Sequence, residues 1–350
     1  MDRRDFLATI GAAGASATMA ALPGSAWAQA KPETTKLVLG FGLDPVFVPH
    51  MLGMSKGWFK DAGFTDVTTK TFTGGAAAGE ALVADEIHLW TPGNLPPISM
   101  AHNGVPIVVL GTNAIATAAD QLVVRKDANI KTPEDLYRIK IGLVQGSTAS
   151  ADLFYLAKHY GLDDKKLQVV NMPPPEQLAA LNSNNIQGLL CWQPWGYNAL
   201  KGGNTELLHS GTVSGFPSNK GAKVQVSYTR SLFVASQDFV KKNPVATRKM
   251  VEVLLRGQKY MTDPKNRDEV ITLFCEQSKQ DKTLAQAIWN DYTFDPVFDD
   301  AYVKDMDQMT AYLLASGRIK SAKSVLDYTY TAPLAAIEPG LVKVPGKFKA

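Results

Sequence analysis

The chain has 350 residues and a formal net charge of +3 at pH 7. Its length exceeds that of one ordinary domain and suggests two lobes. The Lys and Arg residues form no basic run with interleaved aromatic side chains, so composition and charge argue against a nucleic-acid-binding protein.

The first 30 residues have the three parts of a secretory signal peptide. Arg3 and Arg4 precede a weakly apolar run from Ala8 to Leu22, and two small-x-small cleavage sites follow it. The paired arginines favour the twin-arginine export route. We therefore predict a periplasmic protein whose signal peptide is cleaved after Ala28 or Ala30.

Short apolar segments then alternate with helical patterns. The segments are rich in Val, Ile and Leu, as strands that are buried on both faces are. The predicted strands are Lys36–Phe41, Val67–Phe72, Ile87–Trp90, Pro106–Gly111, Gln121–Val124, Lys140–Val144, Leu167–Asn171, Gly188–Trp192, Glu206–His209 and Leu232–Ala235. The predicted helices between them include Pro49–Lys60, Leu95–Asn103, Ala149–Tyr160 and Glu176–Asn182. This alternation predicts an α/β fold with a mainly parallel sheet under helical cover.

After residue 238 the pattern predicts helices only. Asn243 is a favourable N-cap, and Pro244 suits the first position of a long helix. We predict that the chain crosses between the two lobes twice, near residues 116–122 and near Tyr228–Ser231. Two crossovers make a hinge, which suits a protein that closes on a ligand. On this division lobe one is 36–118 plus 232–350, and lobe two is 119–231.

The segment that follows the third predicted strand is typical of a ligand site. Ile87–Trp90 is apolar, Thr91–Asn94 forms a tight turn, and Pro96 and Pro97 open a helix. Such a strand–turn–helix unit presents free backbone N–H groups at the carboxyl end of the strand. Open α/β sheets bind small ligands at that edge.

The order of several motifs resembles a known family. Leu-Val-Ala-Asp-Glu-Ile-His-Leu-Trp-Thr-Pro-Gly-Asn-Leu-Pro-Pro is followed by Val-Pro-Ile-Val-Val-Leu-Gly, Ile-Gly-Leu-Val-Gln-Gly-Ser-Thr-Ala and Trp-Gln-Pro-Trp. In this order the chain is similar to the periplasmic substrate-binding proteins of ABC importers in the nitrate/sulfonate/taurine, NMT1-like group. The resemblance implies the type II periplasmic binding protein fold, with two α/β lobes around a cleft. It also implies a binding protein without cofactor or metal rather than an enzyme.

Four turns and the second crossover are expected to line that cleft. The predicted ligand-binding residues are Asp44 and Pro45 in the first turn, Trp90, Thr91, Gly93 and Asn94 in the second, Gly146, Ser147 and Thr148 in the third, Trp192, Gln193 and Trp195 in the fourth, and Tyr228 and Arg230 at the crossover.

Several of these residues have a second interpretation that the sequence leaves open. Asp44 and Asn94 suit a helix cap as well as a ligand contact. Trp90 and Trp195 either face the cleft or pack in the core. Arg230 either pairs with an anionic ligand or forms a surface salt bridge.

The third turn favours an anionic head group. Ser147 or Thr148 would cap the following helix, and the free N–H groups of its first turn would bind the anion. Gln193 is neutral, which disfavours a cationic ligand group at that point, and the neighbouring Trp192 suits stacking on a flat ligand.

We therefore predict a monomer that captures a small anionic organic solute and delivers it to ABC permease subunits in the inner membrane. The solute would be sulfonate-, taurine- or nitrate-like, with an aromatic part as a possibility. The alternative is a protein that binds a pyrimidine or thiamine precursor, or a related ring-processing enzyme.

Catalytic motifs give the enzyme alternative little support. The five histidines form no His-Glu-x-x-His helix, and no Gly-x-Ser-x-Gly elbow is present. His50 and His102 are expected to be surface or capping groups. Cys191 and Cys275 are expected to be unpaired, because they fall in different predicted lobes. They are also expected to be buried, because free cysteines are among the most buried residues.

Overall fold

Ten strands form three sheets in the computed structural model, which describes residues 30–72 and 75–350. The strands are β1 (Lys36–Phe41), β2 (Asp66–Thr71), β3 (Ile107–Ile115), β4 (Gln121–Arg125), β5 (Lys140–Leu143), β6 (Gln168–Asn171), β7 (Gly188–Cys191), β8 (Thr205–His209), β9 (Arg230–Ser236) and β10 (Thr293–Phe294). The predicted signal peptide lies outside the described residues, apart from Ala30. Residues Pro32–Ala350 form one compact unit.

The sheets are mixed, so the prediction of a mainly parallel sheet is wrong in part. Strands β1 and β2 pair in parallel, and the five-stranded sheet has the order β6-β5-β7-β4-β8. Within it β5 is parallel to β6 and β7, whereas β4 is antiparallel to β7 and β8. The third sheet, β10-β3-β9, is entirely antiparallel. The antiparallel pairing of β3 and β9 follows from the path of the chain. The chain leaves this sheet along β3 and comes back into it along β9.

The helices cover these sheets and account for most of the chain after β9. They are α1 (Val48–Ser55), α2 (Trp58–Asp61), α3 (Gly75–Val83), α4 (Leu95–His102), α5 (Thr148–His159), α6 (Pro174–Asn182), α7 (Trp195–Lys201), α8 (Gln237–Lys242), α9 (Pro244–Thr262), α10 (Arg267–Ser278), α11 (Lys282–Trp289), α12 (Asp300–Ala315) and α13 (Ala332–Ile337). The α/β fold class is thereby confirmed.

Three predicted elements differ in detail. The helix predicted over Pro49–Lys60 is divided at Gly57, whose φ of +70° suits glycine and ends α1. The strand predicted over Ile87–Trp90 forms only isolated bridges, which connect β1 to β9. The helices-only expectation after residue 238 is wrong at Thr293–Phe294, because this segment pairs with β3.

Helix α9 begins at Pro244 as predicted, but Asn243 does not cap it with its side chain. The Asn243 amide instead donates to the Phe239 carbonyl. Glu33 takes the capping role, because its two carboxylate oxygens accept the Val245 and Ala246 N–H groups at 3.0 and 2.9 Å. A carboxylate at a helix N-terminus also interacts favourably with the helix dipole.

The chain passes from the three-stranded to the five-stranded sheet between residues 115 and 121, and it returns between 209 and 230. These passages contain or adjoin both predicted crossovers, and the division into two lobes stays a prediction. Cys191 and Cys275 are both free, and Cys191 is buried whereas Cys275 is only half-buried. No helix in the described ranges is long and apolar enough to cross a bilayer.

Candidate functional site

A cavity of about 330 Å³ lies where the turns after β1, β5 and β7 meet the turn before α4. Its lining draws on residues of both predicted lobes. Nine of the predicted site residues line it: Asp44, Trp90, Thr91, Gly93, Ser147, Thr148, Trp192, Gln193 and Trp195. The remaining five, Pro45, Asn94, Gly146, Tyr228 and Arg230, are not part of its lining.

The second and third predicted turns face each other across this site. Gly93 is bridged to Ser231, and Thr148 is the first residue of α5. A Cβ atom at Gly93 would lie 2.8 Å from Cγ2 of Thr148. Only glycine allows this approach without a shift of one turn, so the two turns are in direct contact.

Asp44 is both a cap and a cavity residue. Its Oδ1 accepts the Val46 N–H at 3.2 Å and caps the short 3-10 helix Pro45–Phe47. Asn113 of β3 holds the same turn by donating to the Val46 carbonyl at 2.8 Å. Burial raises the pKa of Asp44 to about 7, and the negative charge of Asp120 adds to this effect. The half-buried carboxyl therefore titrates near neutral pH.

Asp120 is a lining residue that the sequence interpretation missed. It is 1% exposed, and the Thr229 hydroxyl donates to its Oδ2 at 2.7 Å. Burial raises its pKa, while its polar neighbours Asp152, Thr229 and Thr148 oppose that rise. Burial and the nearby charge of Asp120 raise the pKa of Asp152 well above its usual range.

Seven aromatic side chains among the described residues also line the cavity. Three tryptophans were predicted here, and Trp90 is buried whereas Trp192 and Trp195 are half-buried. Four further rings that were not among the predicted ligand-binding residues line it as well: Phe41, Phe47, Phe72 and Tyr292. Phe41 and Phe47 pack against each other with ring centroids 5.5 Å apart.

Gln193 lies in the lining, but both ends of its amide have protein partners. Its Oε1 accepts the Tyr197 N–H at 2.9 Å and so caps α7. Its Nε2 donates to Oδ2 of Asp291 at 2.8 Å. Burial raises the pKa of Asp291 to about 6. Gln193 thus connects the fourth turn to the segment that follows α11.

Asn94 and Tyr228 contribute to packing instead of the cavity wall. The fully buried Asn94 donates from Nδ2 to the Tyr228 carbonyl at 3.0 Å, and no side-chain cap of α4 is formed. The Tyr228 ring contacts Tyr155 edge-on, with centroids 5.1 Å apart. Pro45 is buried at the first position of its 3-10 helix.

Arg230 lies in the interior, so neither alternative offered for it, ligand contact or surface salt bridge, matches its place. Its side chain is 1% exposed, and Nε donates to Oδ2 of Asp305 at 2.6 Å. Asp305 belongs to α12, so this ion pair joins the start of β9 to that helix. Thr229 and Ser231, on either side of Arg230, line the cavity, whereas Arg230 does not.

The third turn differs from its predicted form. Ser147 occupies the N-cap position of α5, but its hydroxyl donates to the Val144 carbonyl at 2.7 Å and makes no capping bond. Gly146 has a φ of +83°, which glycine adopts readily, and its N–H donates to Ser150 Oγ at 3.1 Å.

The buried His50 contacts the second turn through Thr91. Its Nε2 lies 3.0 Å from Oγ1 of Thr91, and burial lowers the pKa of His50 to about 3. His50 is therefore neutral and fully buried, which corrects the expectation of a surface or capping group. His102 does have a capping contact, because Nδ1 lies 2.8 Å from the Ile98 carbonyl. The described residues contain no His, Cys, Asp and Glu cluster that suits a metal ion.

Comparison with known proteins places these features in context. The NMT1-like family model matches residues 30–275. The chain is 29% identical over 206 residues to the taurine-binding periplasmic protein of Escherichia coli, covering 59% of this chain and 60% of that protein. It is 26% identical over 274 residues to the nitrate/nitrite binding protein NrtA of a Nostoc species, covering 71% of this chain and 59% of that protein. The chain thus spans about three fifths of the length of these relatives.

A solved structure shows the same fold. The alkanesulfonate-binding protein SsuA from Xanthomonas axonopodis pv. citri, bound to MOPS, superposes with a TM-score of 0.71 at 16% identity. The match covers 86% of this chain and 99% of that chain. This likeness establishes the periplasmic binding protein fold.

Proposed function

Because the chain belongs to the NMT1-like family, we propose that it is the solute-binding component of an ABC importer. Its ligand is a small organic solute with an anionic group, of the sulfonate, taurine or nitrate class. The observation that carries the proposal is the cavity of about 330 Å³, which is a normal size for a small-molecule site. The names of the relatives support transport of such solutes.

The protein acts by binding and by closure, without chemistry. The two lobes, 36–118 plus 232–350 and 119–231, close on the solute about the two chain passages. Closure changes the surface that the permease subunits in the inner membrane recognise. The direct contact between Gly93 and Thr148 supports this account, because the proposed division assigns these residues to different lobes.

We further propose that the protein works as a monomer in the periplasm after removal of the predicted signal peptide. The solute contacts are made by the nine predicted residues that line the cavity, with Trp192 and Trp195 stacking on any flat portion. Ser147 and the first turn of α5 bind the anionic group.

Calorimetric titration of the purified protein tests the proposal. The probes are nitrate, taurine, ethanesulfonate and phenylmethanesulfonate, with thermal unfolding measured beside each titration. We expect saturable binding of at least one solute with one site per chain, and a loss of at least about tenfold in affinity in Trp192→Ala. Saturable binding of none of them, by a protein that unfolds cooperatively, would reject the proposal for this solute class.

A further inference from the structure

The charged side chains of the cavity all have one sign. Asp44 and Asp120 line it, whereas no Lys, Arg or His lines it within residues 30–72 and 75–350. A carboxylate in a poorly hydrated cavity without a counter-charge is unfavourable, and a bound cation relieves that cost. The lining therefore complements a positive group on the solute.

Tyr292 adds an unused polar atom to the same place. It is 7% exposed, and its hydroxyl has no hydrogen-bond partner in the part of the chain that the structure describes. Burial and the charges of Asp44, Asp120 and Asp291 raise its pKa, so the phenol stays neutral. Tyr292 thus lines the cavity together with Asp44 and Asp120, and its hydroxyl oxygen can accept a hydrogen bond from an N–H donor.

Asp120 also lies beside the helix start where an anionic solute group was expected. Asp120 and Thr148, the first residue of α5, line the same cavity, and Thr148 is one of the polar neighbours that oppose the rise in the pKa of Asp120. A carboxyl of the protein itself is therefore close to this helix N-terminus and competes there with a second anion. An anionic group of the solute is restricted to the Ser147 side of the turn.

The aromatic wall suits a flat cation. The rings of Trp90, Trp192, Trp195 and Phe47 line the cavity together with the two carboxyls. Aromatic faces attract ammonium and related cations, and they also stack on planar rings. A cavity of about 330 Å³ has room for a solute with one ring.

We propose that the solute carries a protonated nitrogen on a ring-containing body, and that Asp44, Asp120 and Tyr292 bind this nitrogen. The inference rests on the proposed function and narrows its ligand to a zwitterion. The anionic group of that solute lies at the other side of the cavity, next to Ser147.

A matched set of ring compounds tests the inference by calorimetry. The probes are benzylamine, 4-(aminomethyl)benzenesulfonate, phenylmethanesulfonate and benzyl alcohol, which differ in charge and share one ring. We expect the two amines to bind at least about tenfold more tightly than the sulfonate and the alcohol. Equal or tighter binding of the sulfonate without the amine would overturn the inference.

Substitution of Asp44 provides a second test of the inference. Asp44→Asn keeps the oxygen that caps Val46 and removes the charge, so we expect about a tenfold or greater loss of affinity for the bound amine. The control is Asp85→Asn, which removes one exposed charge at a position with φ of +58° that Asn tolerates. Unchanged amine affinity in Asp44→Asn would also overturn the inference.

The pH dependence has a defined sign. Asp44, Asp120 and Tyr292 line one cavity, and the charges of Asp120 and Asp291 contribute to the raised pKa values of Asp44 and Tyr292 respectively. Asp44, whose pKa is about 7, ionises as pH rises from 5.5 to 8 while a primary amine stays protonated, so amine affinity rises by about tenfold in that window. A fall in affinity over this range would mean that protonated carboxyls donate to an anion, which contradicts the inference.

The outcomes separate the inference from the proposed function. Saturable binding of nitrate, taurine, ethanesulfonate or phenylmethanesulfonate without binding of either ring amine leaves the proposed function in place and rejects the inference. Binding of neither set rejects both.

Discussion

Asp44 couples the chemistry of the cavity to the stability of the ligand-free protein. Its pKa rises from 3.8 to about 7 in the folded chain, mainly through burial. A raised carboxyl pKa means that the folded state binds the proton more tightly than the unfolded state does. The contribution of Asp44 to the free energy of unfolding is therefore fully present at low pH, and it is lost as pH rises from about 4 to 7.

The corresponding prediction concerns Asp44→Asn. At pH 8 this variant should unfold at higher temperature than the wild type without solute, with a gain on the order of 2–4 kcal/mol in the free energy of unfolding. At pH 4 the two proteins should be similar. Denaturant titrations at both pH values measure this difference, and an equal gain at both would contradict the assigned cause.

Arg230 illustrates a buried charge whose role is structural. Its ion pair with Asp305 is almost fully desolvated, so removal of one partner leaves an uncompensated charge in the interior. Arg230→Met should cost about 3–5 kcal/mol of unfolding free energy. The double variant Arg230→Met/Asp305→Leu should recover most of that loss.

Urea denaturation of both variants measures these values. Solute affinity, measured on the fraction that remains folded, should change little, because the guanidinium does not line the cavity. A stable Arg230→Met protein with greatly weakened binding would instead restore the ligand role that the sequence suggested.

The close contact between the second and third turns requires glycine at position 93. Gly93→Ala places a methyl group 2.8 Å from Thr148 Cγ2, so one turn must move. We expect at least about a threefold loss of solute affinity with a small change in stability, since the cavity wall shifts with the turn. Thr148→Ser removes Cγ2 and keeps the hydroxyl, so Gly93→Ala/Thr148→Ser should bind more tightly than Gly93→Ala alone. Failure of this rescue in calorimetric titrations would show that the contact does not limit closure.

Most strands could be predicted from the sequence because buried apolar segments mark them directly. Lys36–Phe41 coincides with β1, and helix α9 begins at Pro244 as expected. The direction of β9 could not be predicted, because it depends on which sheet the returning chain joins. Asn243 failed as a cap because Glu33, more than 200 residues earlier in the chain, supplies the better acceptor.

Some residues of the cavity could be predicted from the sequence and others could not, because only some of them lie in locally recognisable turns. Strand–turn–helix units gave Asp44, Gly93 and Thr148, since local sequence marks such turns. Tyr292 lies in a region where the sequence pattern predicts helices only. The pairing of Thr293–Phe294 with β3 brings Tyr292 to the cavity. Asp120 ends a small polar loop that carried no motif, so its place became evident only in three dimensions.

The arrangement of the sheets supports a closing molecule. All strands of the five-stranded sheet lie between the two chain passages, and the other described strands lie before or after them. On the proposed lobe division, only two backbone segments connect the lobes, so rotation about them requires few changes in φ and ψ.

We therefore predict a smaller radius of gyration in the presence of saturating solute. Small-angle X-ray scattering on the purified protein, with and without a solute identified by calorimetry, measures the change. The control is Gly93→Ala under the same conditions, which should close less completely. An identical radius with and without bound solute would contradict hinge closure in solution.

Three of the six tryptophans of the chain, Trp90, Trp192 and Trp195, line the cavity. Their indole emission depends on local polarity and on nearby quenching groups, and solute entry changes both. The protein thus contains its own optical reporter, so untreated extracts and large compound collections can be screened by intrinsic fluorescence without any attached dye.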